Sequence, residues 1–415
     1  MHDNHHKRLK IGFLSTLVLQ DKRSSWNLTN QYMMRVLEKY CGDVTYIQQP
    51  HLRSLLLGKL FNKGMQLLFK KSFMYYHSFF IARRFAKAAG KLFAGRQFDV
   101  IVAPSCGTEI AFLHTATPIV LIEDATFALL HNYYPQFRNL MGRSIYEAHT
   151  LEGLAIQKAA LVLYTSQWAA NSAIEDYHAD ERKVKVATFG ANSDHLPASE
   201  VVQARKKSDR CRLFFLGTDW QRKGGAIAFE TLVALEKLGI EAELIVCGCV
   251  PPREFAHPSM KVIPFLDKSD ELQRKELDRL FETSDFMILP TRNDCVPMVF
   301  SEASAFGLPV ITTSTGGVPG IITEGENGFM LPLSARGPQY ADLIAGIYQD
   351  DQRYAELVAS TRAAFEKRLN WDAWGMSVTH FIYEMLGQEE PMFTQMQALC
   401  SMPDSLNVNQ ANRHA

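Results

Sequence analysis

Short apolar runs alternate with amphipathic stretches along most of the chain. In the first half the runs at 11–15, 44–47, 99–103, 119–122, 161–164 and 184–188 read as strands, and helical periodicity over 27–40, 145–159 and 167–177 fills several gaps between them. The second half repeats the pattern, with strands predicted at 213–216, 242–246, 262–265, 286–289, 310–313 and 328–331. Helices fit at 225–238, 270–283, 299–306 and 340–348. Two successive series of this kind predict two doubly wound parallel sheets of the α/β class. The polar stretch 192–209, with Pro197 and a Lys-Lys-Ser-Asp run, reads as a linker. Beyond 350 only helices are predicted, at 351–367 and 371–386, before a polar tail. The expected organisation is therefore an N-terminal Rossmann-like domain over 1–195, a C-terminal one over 196–365, a helix over 366–387 and a mobile tail over 388–415.

Composition narrows the class. A chain of 415 residues with 47% apolar and 21% charged positions can bury two ordinary cores. Lys+Arg and Asp+Glu both number 44, and the zero net charge argues against a dedicated nucleic-acid binder. The seven cysteines are scattered, and only Cys247 and Cys249 stand close. That lone C-x-C has no further ligands nearby, so reduced thiols and no metal site are expected. His2, His5 and His6 belong to a terminus that offers no metal cluster. The first apolar run is short and polar from Gln20 onward, which suits a strand and not a signal peptide. With no membrane-length apolar run, the expected location is cytoplasmic, soluble or peripheral at the inner face of the cytoplasmic membrane.

In an open α/β sheet, ligands bind beyond the carboxyl ends of the strands. In the second half the strand 286–289 runs into Thr291-Arg-Asn-Asp294-Cys-Val-Pro297 and then a helix carrying Glu302. Carboxylates there suit ligand hydroxyls, because an ionised carboxylate accepts from two neighbouring OH groups at once. The next loop, Thr313-Ser-Thr-Gly316-Gly317-Val318-Pro319, puts paired glycines before a proline at an expected helix start. Such a start exposes unpaired N–H groups to an anion. The loop after 213–216 reads Gly217-Thr218-Asp219-Trp-Gln-Arg222-Lys223-Gly-Gly225, with two cations where a diphosphate needs them. Together the three loops read as a site for a nucleotide-diphosphate sugar.

The run 213–331 resembles the donor domain of family 4 glycosyltransferases, which have the two-domain GT-B fold with Rossmann-like domains facing a cleft. The family's pair of acids separated by seven residues appears here as Asp294 and Glu302, followed by Gly-Leu-Pro309 and Gly316-Gly-Val-Pro319. The resemblance implies that Glu302 holds ribose hydroxyls, Asp294 contacts the transferred sugar, Lys223 neutralises the departing diphosphate with Arg222, and the loop at Phe265-Leu266 meets the base. Gly217, Thr218, Val296, Met298, Gly316, Gly317 and Val318 complete the donor-binding set. It also implies retention of anomeric configuration, with no essential metal and no cofactor. The first half is similar to a bacterial branch of the family through Ile122-Glu-Asp-Ala-Thr-Phe127, His131-Asn-Tyr-Tyr-Pro135 and Phe189-Gly-Ala-Asn192, so the resemblance covers about 10–385.

Several positions depart from the family pattern. Asp294 replaces a glutamate, Cys-Val-Pro297 stands where Gly-Phe-Gly is common, Thr218 replaces a basic residue, and Glu123-Asp124 occupies a region where many members carry histidine. Asp124 is the candidate for polar work on the acceptor side, with a helix N-cap as the alternative.

One local bias remains. Between Asp43 and Asp99 there is no acidic residue, while ten lysines and arginines are interleaved with leucines and aromatics. Such a segment, 52–97, either contacts an anionic bilayer peripherally or forms helices that pack on the sheet with lysines facing water. The leading expectation is transfer of a sugar from a nucleotide donor to a carbohydrate or lipid-linked acceptor in polysaccharide or glycoconjugate synthesis. The alternatives are a nucleotide-sugar epimerase of the same architecture and a non-catalytic nucleotide-sugar-binding protein.

Overall fold

The computed structural model describes residues 8–15, 25–49, 52 and 54–390. His2, His5, His6, residues 16–24, Arg53 and residues 391–415 lie outside the described residues.

Two six-stranded parallel sheets are formed, as the alternating pattern predicts. The first contains β1 (Leu9–Ser15), β2 (Gly42–Gln48), β3 (Val100–Pro104), β4 (Ile119–Glu123), β5 (Leu161–Tyr164) and β6 (Val184–Val186), in the order β2-β1-β3-β4-β5-β6. The second contains β7 (Cys211–Leu216), β8 (Ala242–Cys247), β9 (Met260–Ile263), β10 (Phe286–Leu289), β11 (Val310–Thr313) and β12 (Gly328–Leu331), in the order β12-β11-β10-β7-β8-β9. Every residue of β3, β5, β10 and β11 is buried, which is why these strands read as unbroken apolar runs.

Two compact units hold these sheets: one runs to Thr188 and resumes at Trp371, and the other is Phe189–Asn370. The helix Trp371–Leu386 belongs to the first unit. Trp371 stacks on Tyr32 with ring centroids 5.7 Å apart, and the Tyr383 hydroxyl donates to the Cys41 carbonyl at 3.2 Å.

Two local expectations need correction. The stretch read as linker contains the helix Ser199–Gln203, whose Val202 is buried in the core of the second unit. Arg205 fixes it by donating to the carbonyls of Phe281 and Phe306, at 3.1 and 2.9 Å. The strand expected at 262–265 lies two residues earlier, as β9. Among the described residues it pairs only with β8, and it leaves Lys261 and Val262 exposed, so its apolar pattern is too weak to mark its ends.

Residues 54–93 form two helices with different fates. Phe79–Phe93 is capped by Ser78, whose hydroxyl accepts from the Ile81 amide, and it buries Ile81, Ala82, Phe85, Ala86 and Ala89. Ser54–Phe69 buries only Ser54.

Candidate functional site

The second sheet changes winding direction between β7 and β10, the place where open α/β sheets bind ligands. After β7, Gly217 closes the strand by donating to the Cys247 carbonyl at 2.9 Å. Asp219 then folds the next residues into one turn: its Oδ1 accepts from the Arg222 amide at 3.0 Å and its carbonyl from the Lys223 amide at 3.0 Å. Gly224 ends the turn at φ +77°, and a Cβ there would stand 2.0 Å from the Pro290 carbonyl oxygen. Only glycine lets the loops after β7 and β10 approach this closely.

The two loops are joined by hydrogen bonds. The Arg292 amide donates to the Arg222 carbonyl at 2.7 Å, and the Arg222 guanidinium donates to the Asn293 carbonyl at 2.9 Å. These bonds bring Lys223 Nζ into an ion pair with Asp294 Oδ2, both side chains nearly buried. Thr291 Oγ1 donates to the same oxygen at 3.3 Å, and an Arg222 nitrogen stands 3.9 Å away. A lysine ammonium has three donors, so pairing with Asp294 leaves Lys223 two for a ligand. Two cations and a carboxylate thus meet at the switch point.

Glu302 lies in the helix Met298–Ala305 and is 5% exposed. Its Oε1 accepts from Lys268 Nζ at 2.6 Å, across from the loop after β9. Lys268 escapes sequence reasoning, because nothing local marks a loop lysine whose partner is a helix glutamate 34 residues away. Phe265 and Leu266 lie in that same loop; Phe265 is 64% exposed while Leu266 packs on the core. Val296 and Met298 are half-buried, and Thr218 is exposed.

The loop after β11 departs from its expectation. Val318–Gly320 is a single 3-10 turn, too short to carry an appreciable helix dipole. The Gly317 amide donates to the Asp294 carbonyl and the Val318 amide to the Thr315 carbonyl, both at 3.1 Å. Proline inside the turn and the burial of Val318, Ile321 and Ile322 divert the chain into the core. Gly317 and Val318 therefore serve to fix the Asp294 loop, and the buried Val318 side chain presents nothing to a ligand.

In the first unit Asp124 follows β4 and is half-buried. It is not the helix cap: Thr126 caps Phe127–Leu130, its hydroxyl accepting from the Leu129 amide at 3.5 Å. Asp124 belongs instead to a group of acids at the carboxyl edge of this sheet. Glu123 Oε1 accepts from the Gly107 amide at 3.3 Å, and Glu109, fully buried, accepts from the Tyr76 hydroxyl. Burial pushes Glu109 up to about 7 against the lowering effect of Tyr76. Burial and then the Asp124 charge push Glu152 up to about 8, while burial and then the charges of Glu152, Asp124 and Glu109 raise Glu123 well above the ordinary carboxyl range. Glu109 and Glu152 come from separate elements, so their meeting leaves no local sequence pattern. Among the described residues, no group of three or more His, Cys, Asp or Glu could hold a metal ion.

Comparison with known proteins agrees with this geometry. Residues 210–350 match the family model described as Glycosyl transferases group 1. The D-inositol 3-phosphate glycosyltransferase of Xylanimonas cellulosilytica is 25% identical over 285 residues, 64% of this chain and 64% of that relative, just under two thirds of its length. The sucrose-phosphate synthase of Thermosynechococcus elongatus superposes with a TM-score of 0.63 at 13% identity, over 92% of this chain and all of that one. HepE of Anabaena, solved with UDP-glucose, superposes with a TM-score of 0.58 at 15% identity, over 91% of this chain and 100% of its own. The chain has the GT-B fold, and the resemblance to family 4 glycosyltransferases read from its sequence is borne out.

Proposed function

We propose that this GT-B chain is a glycosyltransferase that moves a sugar from a nucleotide-diphosphate donor to a carbohydrate or lipid-linked acceptor. The observation that carries the reading is the Lys223–Asp294 ion pair at the switch point, inside the segment matched by the glycosyltransferase family model. Lys223 and Arg222 balance the charge that builds on the diphosphate as its bond to the sugar C1 breaks. The acceptor hydroxyl oxygen forms the new bond to C1 as the bond from C1 to the phosphate oxygen breaks, and its proton passes to the departing diphosphate. The charge is met by these two side chains without a metal. Asp294 orients Lys223 and contacts the sugar, and one Glu302 oxygen, left over from Lys268, accepts from the ribose. Gly217, Thr218, Phe265, Leu266, Val296, Met298 and the Gly316 turn line the donor's path, with Gly317 and Val318 holding the Asp294 loop. The acidic group around Asp124 takes the acceptor side.

Retention of configuration, hexosyl transfer and a place in surface-polysaccharide or glycoconjugate synthesis complete the reading. They come from the family resemblance. For the activity, the proposed donor and acceptor domains follow the two compact units, with the helix Trp371–Leu386 returning to the first. No helix of the described residues is long and apolar enough to cross a membrane. Peripheral contact at the inner face of the cytoplasmic membrane, through 52–97, is part of the proposal.

The test is product analysis with UDP-, GDP-, ADP-, CMP- and dTDP-sugars and a mixture of acceptors. A new glycoside that disappears in Lys223→Ala is expected. An epimerised donor, or donor binding without turnover, overturns the assignment in favour of the two alternatives.

A further inference from the structure

The helix Ser54–Phe69 is rich in leucine yet buries none of its apolar side chains. Among the described residues it is held from the side of Gly58 and Asn62. Tyr75 packs beneath Gly58, Phe73 meets Phe61 edge-on at 5.1 Å, and Asn62 Oδ1 accepts from the Phe73 amide at 2.7 Å. At helical spacing, Leu56, Leu60 and Leu67 form one row and Leu57 and Leu68 the next, on the face opposite Gly58 and Asn62. All five are more than half exposed, between 57% and 77%. Lys59 and Lys63 flank the stripe. A soluble surface rarely leaves a contiguous apolar stripe of this kind in water.

Beside the start of this helix lies a groove of about 850 Å³, walled by Leu52, Phe79, Phe80, Arg83, Arg84, Lys87, Lys91 and Arg143 among others. It contains five cations and no acid. Arg143 is spent on Glu147, 2.9 Å away. The Arg83 guanidinium lies over the Phe112 ring at 4.9 Å and Arg84 over the Phe80 ring at 5.4 Å, contacts that leave their charge unneutralised. The exposed face of the helix Phe79–Phe93 thus presents Arg84, Lys87 and Lys91 at successive turns, with Phe80 exposed among them.

We propose that these two helices form one docking surface for an anionic bilayer. The leucine face of Ser54–Phe69 enters the headgroup boundary, and the phosphate of an anionic lipid headgroup sits in the groove on Arg84, Lys87 and Lys91. Charge complementarity selects this occupant: apolar side chains flanked by cations, with no acid from residue 44 to residue 98, match a surface of acyl chains beneath phosphates. The inference deepens the membrane contact included in the proposed function and gives it residues and a lipid chemistry.

The experiment is co-sedimentation of the full chain with phosphatidylcholine vesicles and with vesicles containing about 30% phosphatidylglycerol, at about 0.1 M and about 0.5 M salt. Partition is expected to be at least about tenfold higher on the anionic vesicles and to fall at high salt, since each cation near the surface contributes roughly a fivefold factor. The exposed-face variant Lys87→Glu/Lys91→Glu loses the gain, and Leu57→Glu/Leu60→Glu weakens binding to both vesicles. Both variants are expected to melt as the parent does. Equal partition onto both vesicles, or a gain unchanged in Lys87→Glu/Lys91→Glu, overturns the proposal. So does oligonucleotide binding without vesicle binding, or self-association abolished by Leu57→Glu/Leu60→Glu. Donor binding is measured in the same samples, so a failure here is distinguished from a failure of the glycosyltransferase reading.

Discussion

Lys268 Nζ holds Glu302 Oε1 at 2.6 Å, joining the loop after β9 to the helix that follows β10. Glu302 is almost buried while Lys268 keeps 40% of its side chain exposed, so the pair orients the carboxylate more than it stabilises the unit. Lys268→Ala should therefore cost no more than about 1 kcal/mol of stability. Glu302→Gln replaces a charged acceptor of ligand hydroxyls by a neutral one and should weaken nucleoside-diphosphate binding by roughly 1.5–3 kcal/mol. Titration calorimetry on both variants checks this. Unchanged affinity in Glu302→Gln removes Glu302 from the donor site.

The Lys223–Asp294 pair is nearly buried on both sides, and removing one partner strands the other. Lys223→Ala should destabilise the chain by about 3 kcal/mol, and Lys223→Ala/Asp294→Ala should recover part of that loss. Turnover should behave differently. Losing a charge that supports the leaving diphosphate should cost on the order of a hundredfold or more in kcat, in the single and the double variant alike. A double variant that regains turnover together with stability would show Lys223 to be structural only.

Gly224 and Gly239 offer a controlled comparison of backbone strain. Both have φ +77°, but a Cβ at Gly224 would stand 2.0 Å from the Pro290 carbonyl oxygen, whereas nothing lies within 4 Å at Gly239. Gly239→Ala should cost about 1–2 kcal/mol for the left-handed conformation alone. Gly224→Ala should cost at least about 2 kcal/mol more, because the loops after β7 and β10 must separate. Thermal melts of the two variants in parallel give the difference, and equal melting temperatures would contradict the close approach.

Legibility in the sequence followed the range of the interaction. Buried parallel strands such as β10 carry their signal locally, as runs of apolar residues, and the alternating order alone implies two doubly wound sheets. Edge strand β9 lacks that signal and is displaced by two residues from its expected place. Lys223, Arg222, Asp294 and Glu302 stand out through short loops next to strands, but their pairing does not. Lys268 is visible only once β9 and the helix after β10 are folded together. The Gly316-Gly317 turn shows the reverse case: its composition suggests free amides, yet the Asp294 and Thr315 carbonyls consume two of them. Likewise the two basic, aromatic-rich helices after β2 look alike in composition. Only packing distinguishes Phe79–Phe93, which buries five side chains, from Ser54–Phe69, which buries Ser54 alone.

Glu109 supplies a pH signature for the first unit. It is fully buried, and burial raises it from 4.5 to about 7. A carboxyl raised in the folded state binds its proton more tightly there than in the unfolded chain. Its contribution is therefore complete below the unfolded value of 4.5 and is lost as pH rises through about 7. A shift of this size corresponds to roughly 2–3 kcal/mol of stability lost between about pH 5 and pH 8. Glu109→Gln keeps an acceptor for the Tyr76 hydroxyl and has no proton to lose. The parent should melt lower at pH 8 than at pH 5, with Glu109→Gln flattening that slope and gaining most at pH 8. Urea unfolding of parent and variant at unit pH steps measures it. Parallel stability curves would place the titration on another group, with Glu152 and Glu123 next to be replaced by glutamine.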